Sequence, residues 1–238
     1  MQYGVSRVVA GPFLHALWRP GITGAANIPS SGGAIIASNH LSLVDSVFLP
    51  LMVPRPVTFV AKSEYFTGTS LIQRAAGAYL RATKQLSVDR EASRGALDML
   101  EAALAMLRAG RLFGIYPEGT RSPDGRLYRG RPGIGWLALH SGVPVIPVAM
   151  SGTDRVLAPG HAVPTLAKIR ITVGQPLTFD SYQDQPAGSR QRREVTDQVM
   201  RAIQALSGQE YVPMYASARK EQLAASANGS AKRGRPAA

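Results

Sequence analysis

Ala34-Ile35-Ile36-Ala37-Ser38-Asn39-His40-Leu41-Ser42-Leu43-Val44-Asp45 runs from an apolar strand-like segment through a polar turn into a helical pattern. It holds a histidine and a carboxylate at a fixed short spacing. Among the 4 histidines only His40 has an acid five residues on; the matching places after His15, His140 and His161 hold Pro20, Val145 and Leu166. Imidazole is the usual general base near neutral pH, and a carboxylate beside it fixes its tautomer and stabilises its protonated form. On one continuous helix, residues five apart are rotated by roughly 140° and do not face each other. A turn leading into a helix is the better geometry. Ser42 would be the N-cap, Asp45 would sit where the acid of a capping box falls, and His40 would lie in the turn before. Taken alone, such a pair is more often a capping acid beside a turn histidine, so the rest of the chain must decide.

Outward from this stretch, apolar β-type runs alternate with helical patterns. That alternation predicts an α/β fold: a single domain with a mostly parallel, mixed central sheet flanked by helices. Strands are expected over 34–38, 57–61, 112–116, 144–149 and 168–173, and helices over 42–52, 91–109, 135–141 and 190–206. In the second helix Leu97, Leu100, Leu104 and Leu107 form one stripe and Gly110 is the stop. In the last, Val195, Val199, Ile203 and Leu206 recur at the spacing of core packing. The domain is expected over 23–207. Residues 1–22 form an N-terminal amphipathic segment whose Leu14, Leu17 and Trp18, with Arg7 and Arg19, would pack on the domain or lie in a membrane interface. Residues 208–238 form a basic low-complexity tail, expected to be disordered from about Ala216.

Composition narrows the chemistry. There is no cysteine among the 238 residues, which excludes disulfides, thiolate zinc sites and cysteine nucleophiles. No apolar run is long enough to span a bilayer, and the N-terminal stretch, broken by Pro12 and His15, makes a poor signal peptide. The formal net charge of +12 implies attraction to polyanions: nucleic acid, an anionic membrane or phosphorylated substrates. The basic stretches are not interleaved with aromatics as a base-stacking surface would be, so no nucleic-acid partner is expected.

Three further segments stand out. Tyr116-Pro117-Glu118-Gly119-Thr120-Arg121-Ser122 follows a strand, where open α/β sheets place their ligands. Arg121 can fork two donors onto a phosphate, and Glu118 can meet substrate hydroxyls or brace the loop. Val88-Asp89-Arg90 places an arginine just before a helix. Val143-Pro144-Val145-Ile146-Pro147-Val148 is an apolar strand with two prolines, which argues for an edge strand or one shaped for a ligand.

Asn-His-x-Ser-x-x-Asp at 39–45, Val-Asp-Arg at 88–90, Tyr-Pro-Glu-Gly-Thr-Arg-Ser at 116–122 and Val-Pro-Val-Ile-Pro-Val at 143–148 resemble the four ordered blocks of the glycerolipid acyltransferase family. The resemblance is closest to the bacterial 1-acyl-sn-glycerol-3-phosphate acyltransferases and covers roughly residues 20–180. Its third block begins with Tyr116 where the family more often has Phe. The resemblance implies acyl transfer from acyl-CoA or acyl carrier protein to the sn-2 hydroxyl of lysophosphatidic acid, giving phosphatidic acid. His40 would be the general base and Asp45 its orienting partner. Arg90, Glu118, Gly119, Thr120, Arg121 and Lys62 would form the acceptor site. No metal or other cofactor is implied. The expected setting is peripheral, on the anionic cytoplasmic face of the cell membrane. Other acceptors (glycerol 3-phosphate, another lysophospholipid or a glycolipid) remain open, as does a non-catalytic basic binding protein of the same fold.

Overall fold

The computed structural model describes residues 11–12, 14–62, 86–88, 95–158, 161, 163–182 and 187–233. Among these residues, seven strands form one sheet in the order β1-β8-β7-β2-β5-β3-β4. They are β1 (Gly21–Thr23), β2 (Ala34–Ser38), β3 (Val57–Lys62), β4 (Leu86–Val88), β5 (Leu112–Ile115), β7 (Val145–Ser151) and β8 (Arg170–Val173). Neighbours are parallel except β7 and β8. A second, two-stranded sheet pairs β6 (Leu127–Tyr128) with β9 (Tyr211–Val212). Helices among the described residues include α1 (Asp45–Met52), α2 (Gly95–Arg108), α3 (Gly133–Ser141), α4 (Thr153–Val156), α5 (Ser189–Ser207) and α6 (Ala216–Arg233).

β2 is the axis of the molecule. All five of its residues are buried, as a central parallel strand covered on both faces requires. Side chains alternate across the pleat. Ala34 and Ile36 join Phe48 and Leu49 of α1 in one core, while Ile35 and Ala37 join Leu107, Leu137, Val199 and Ile203 of α2, α3 and α5 in the other. The chain leaves β2 towards β5 and β3 on one side, and β7 enters on the other. Strand order diverges at β2, and the carboxyl ends of the strands at such a divergence are the usual ligand position in these sheets.

Several expectations are corrected. Helix α1 begins at Asp45 rather than Ser42. β7 is interior, not an edge, despite Pro147. The strand's own period explains this: the carbonyls of Val145 and Pro147 turn away from β2 and each accept at 2.8 Å, from Leu177 and Gly174. The N–H that Pro147 lacks would point the same way, so the β2 ladder loses no donor. From Ala216 the tail is helix α6, not disordered, and Ala216 is fully buried. In α2 the stripe is narrower than expected, since Leu107 is buried but Leu97 is half exposed. In the N-terminal segment, Leu14 and Trp18 pack on the α1 side of the core, and Trp18 stacks edge-on to Phe48 with centroids 5.9 Å apart. The Trp18 indole N–H donates to the Thr165 carbonyl at 2.8 Å.

Candidate active site

His40 lies just past β2, and Asp45 opens α1. Nδ1 of His40 is 2.9 Å from Oδ2 of Asp45, and the same oxygen accepts the N–H groups of Leu41 at 2.7 Å and Ser42 at 2.8 Å. Asp45 therefore folds its own preceding turn around its carboxylate and holds the imidazole in the same grip. Ser42 does not cap the helix; its hydroxyl donates to the Leu157 carbonyl at 2.7 Å. A carboxylate accepts only, so the neutral ring carries its proton on Nδ1 and keeps a lone pair on Nε2. The His40 side chain is 14% exposed and that of Asp45 is 0% exposed, so the acid is dry while the base still reaches solvent.

The ring is held on its flat side by Tyr116, stacked at 3.9 Å with 9° between planes, and Tyr116 in turn stacks on Phe59 at 5.0 Å. This stack needs Gly114 on β5, because a Cβ there would stand 2.3 Å from the Phe59 ring. The Tyr116 and Ser46 hydroxyls share a hydrogen bond of 3.1 Å. Asn39 secures the backbone beside His40. Its amide N–H donates to the Met150 carbonyl at 3.0 Å and to Gln209 at 2.8 Å, and its oxygen accepts the Met150 N–H at 2.8 Å.

The segment after β5 reaches the same place. Ser122 N–H donates to the His40 carbonyl at 2.7 Å, and Glu118 Oε1 accepts the His40 N–H at 3.1 Å. Glu118 Oε2 accepts the Tyr128 N–H at 3.0 Å. Of the two roles open to Glu118, the geometry has the brace: the side chain is buried and both oxygens are spent on backbone. Burial pushes its carboxyl up to about 7, against the pull of the Tyr128 and His40 N–H groups and with a push from Asp45. Gly119 takes a left-handed φ of 74°, a conformation costly to any residue with a Cβ, and the Arg131 side chain lies over it. Its N–H, a candidate for stabilising an oxyanion, donates instead to the Tyr116 carbonyl at 2.9 Å.

Several of the basic residues near this loop are braces. Arg126 pairs with Asp124 at 2.6 Å, Arg193 with Asp197 at 2.6 Å, and Arg193 also donates to the Gly130 carbonyl at 2.7 Å. Arg129 and Arg131 lie over the Tyr215 ring at 5.8 and 5.0 Å. Arg121 has no acidic partner among the described residues. Thr120 accepts a 2.7 Å hydrogen bond from Lys220 of α6, a residue that sequence reasoning missed because its segment read as disordered. Burial and the nearby Arg121 hold the Lys220 amine below the usual lysine range, with Glu118 working the other way. Lys62 ends β3, paired in register with Val88, and its side chain lies outside the described residues, as does all of Arg90. Asn39 and Tyr116 were legible as motif letters, but neither's contact was.

Known proteins resemble this chain in sequence and in fold. A family model described as Acyltransferase matches residues 19–151. A chloroplastic 1-acyl-sn-glycerol-3-phosphate acyltransferase of Brassica napus is 25% identical over 175 residues, covering 73% of this chain and 49% of that protein. A 1-acyl-sn-glycerol-3-phosphate acyltransferase of Borreliella burgdorferi is 29% identical over 147 residues, covering 58% and 55%. The chain thus spans about half the length of the curated relatives it matches. The crystal structure of the 1-acyl-sn-glycerophosphate (LPA) acyltransferase PlsC of Thermotoga maritima is similar with a TM-score of 0.64 and 25% identity, over 86% of this chain and 79% of that one. With the matched span taking in His40, Asp45 and the loop after β5, the chain belongs to the acyltransferase family.

Proposed function

We propose that this protein transfers an acyl group from acyl-CoA or acyl carrier protein to the sn-2 hydroxyl of 1-acyl-sn-glycerol 3-phosphate, giving phosphatidic acid. The observation that carries the reading is His40, its Nδ1 held by Asp45 at 2.9 Å and its side chain still 14% exposed, with Arg121 in the neighbouring loop lacking an acidic partner among the described residues. His40 Nε2 takes the proton of the acceptor hydroxyl as that oxygen attacks the thioester carbonyl. The tetrahedral intermediate expels the thiolate, which recovers the proton from the imidazolium, leaving an ester and a free thiol. Asp45 stabilises the imidazolium throughout. The transfer is direct, since the chain has no cysteine and Ser42 spends its hydroxyl on Leu157. Arg121, with Arg90 and Lys62, holds the acceptor's phosphate.

The same reading sets the enzyme on the cytoplasmic face of the membrane as a peripheral protein. Two facts support it: no helix among the described residues is long and apolar enough to cross a bilayer, and the net charge of +12 favours an anionic surface. Purified protein given radiolabelled acyl-CoA and a panel of acceptors (lysophosphatidate, glycerol 3-phosphate, lysophosphatidylcholine) tests the assignment. Labelled phosphatidic acid is the expected product, and its absence overturns the choice of acceptor. His40→Ala lowers kcat by about 10²–10⁴-fold. Unchanged turnover in that variant would remove His40 from the chemistry.

A further inference from the structure

We propose that Lys220, carried on the C-terminal helix α6, is a substrate-binding residue that grips the acceptor's phosphomonoester together with Arg121. This rests on the acceptor reading above and extends the site beyond the family's sequence blocks. Lys220 Nζ donates to Thr120 Oγ1 at 2.7 Å, and Thr120 adjoins Arg121. The start of the helix is seated firmly. Ala216 is fully buried, Ser217 Oγ accepts from Arg131 at 3.1 Å, and the Tyr215 ring lies under Arg129 and Arg131.

The charge balance around this seat is uneven. Arg121, Arg131, Arg219 and Lys220 gather at a loop whose acids are Glu118 and Asp124. Glu118 has both oxygens on backbone N–H groups and is biased towards its neutral form by burial. Asp124 is bound by Arg126 at 2.6 Å and by the Tyr128 hydroxyl at 2.8 Å, with Arg219 3.8 Å away. Neither Arg121 nor Lys220 has an acidic partner among the described residues. Two neighbouring, partly buried cations repel unless an anion lies between them. A phosphomonoester brings a charge of about −1.5 to −2 and three acceptor oxygens. Arg121 supplies the planar fork and Lys220 the compact point charge. The neutral Thr120 hydroxyl occupies a donor that a phosphate oxygen would take over.

The test is steady-state kinetics on the full chain with Lys220→Gln, Lys220→Arg and, as a charge control, exposed Lys168→Gln. Lys220→Gln is expected to raise KM for lysophosphatidate about 10- to 100-fold with kcat within about twofold, and to weaken inhibition by inorganic phosphate in parallel. Lys220→Arg recovers most of both, and Lys168→Gln changes neither. Unchanged KM and phosphate inhibition in Lys220→Gln overturns the proposal. A fall in kcat alone makes Lys220 a clasp for α6 and also overturns it. Should Lys220→Gln not fold, reductive methylation of the wild-type chain decides: phosphate must protect Lys220 more than Lys168. If lysophosphatidate is not acylated by the wild type, the acceptor reading fails, yet phosphate protection of Lys220 still tests the anion site alone.

Discussion

The turn 38–45 and the loop 116–122 each bring a buried carboxylate to His40, and they do so in opposite ways. Asp45 reaches back within its own turn, and one oxygen gathers the imidazole and the N–H groups of Leu41 and Ser42. Glu118 comes from far along the chain and touches only backbone, the N–H of His40 with one oxygen and that of Tyr128 with the other. The first acid acts on the ring and so bears on protonation; the second acts on the main chain and so bears on position. Nearness to a histidine does not assign a carboxylate its role. The atom it contacts does.

Asp45→Asn puts the greatest strain on this contrast. The amide cannot stabilise an imidazolium, so kcat should fall by about 10²-fold or more while KM changes little. Exchanging a charged acceptor of two backbone N–H groups for a neutral amide oxygen should also lower stability by about 1 kcal/mol, read as a shift in thermal midpoint. Glu118→Gln should act chiefly on stability and its pH dependence. The folded-state value of about 7 lies above the ordinary value of 4.5, so the folded protein binds the extra proton between them. The stabilisation is complete below pH 4.5 and is lost as pH rises through 7, a change on the order of 3 kcal/mol. Denaturant midpoints between pH 5 and 8 should slope down in the wild type and flatten in Glu118→Gln. A kcat loss in Glu118→Gln as large as that in Asp45→Asn would collapse the distinction between the two loops. The smallest effect belongs to Tyr116→Phe. It removes the 3.1 Å bond to Ser46 but keeps the ring stacked on His40. Stability should drop by about 1 kcal/mol and kcat by less than about fivefold. A larger kcat loss would give the hydroxyl a part in the reaction.

Much of the fold was legible because its signals are local. The apolar run 34–38 became β2 with the same bounds, and the alternation of strand and helix patterns became a largely parallel sheet. The run 112–116 became β5 one residue shorter. The contact between His40 and Asp45 was also legible, since five residues of chain leave few ways for a turn and a helix start to meet. Its local cause is not a serine cap: Ser42 turns its hydroxyl away, and Asp45 organises the turn by itself. Capping patterns describe short-range partners, whereas Ser42 found the Leu157 carbonyl 115 residues away.

By itself, then, the sequence determined the central strand, the layered α/β plan, the pairing of His40 with Asp45 and the loop that follows β5, all of them set by contacts along a few residues or by periodicity. Tertiary structure alone decided the rest. Pro147 is tolerated inside the sheet because its missing donor faces away from β2, a matter of register that the residue list does not show. Glu118 became a brace because folding buried it and met both its oxygens with N–H groups. The tail, too polar to announce a helix, gained order by docking Tyr215, Ala216 and Lys220 on the site. In each case the deciding partner lies outside the segment, and burial against that partner supplies the free energy which local propensity lacks.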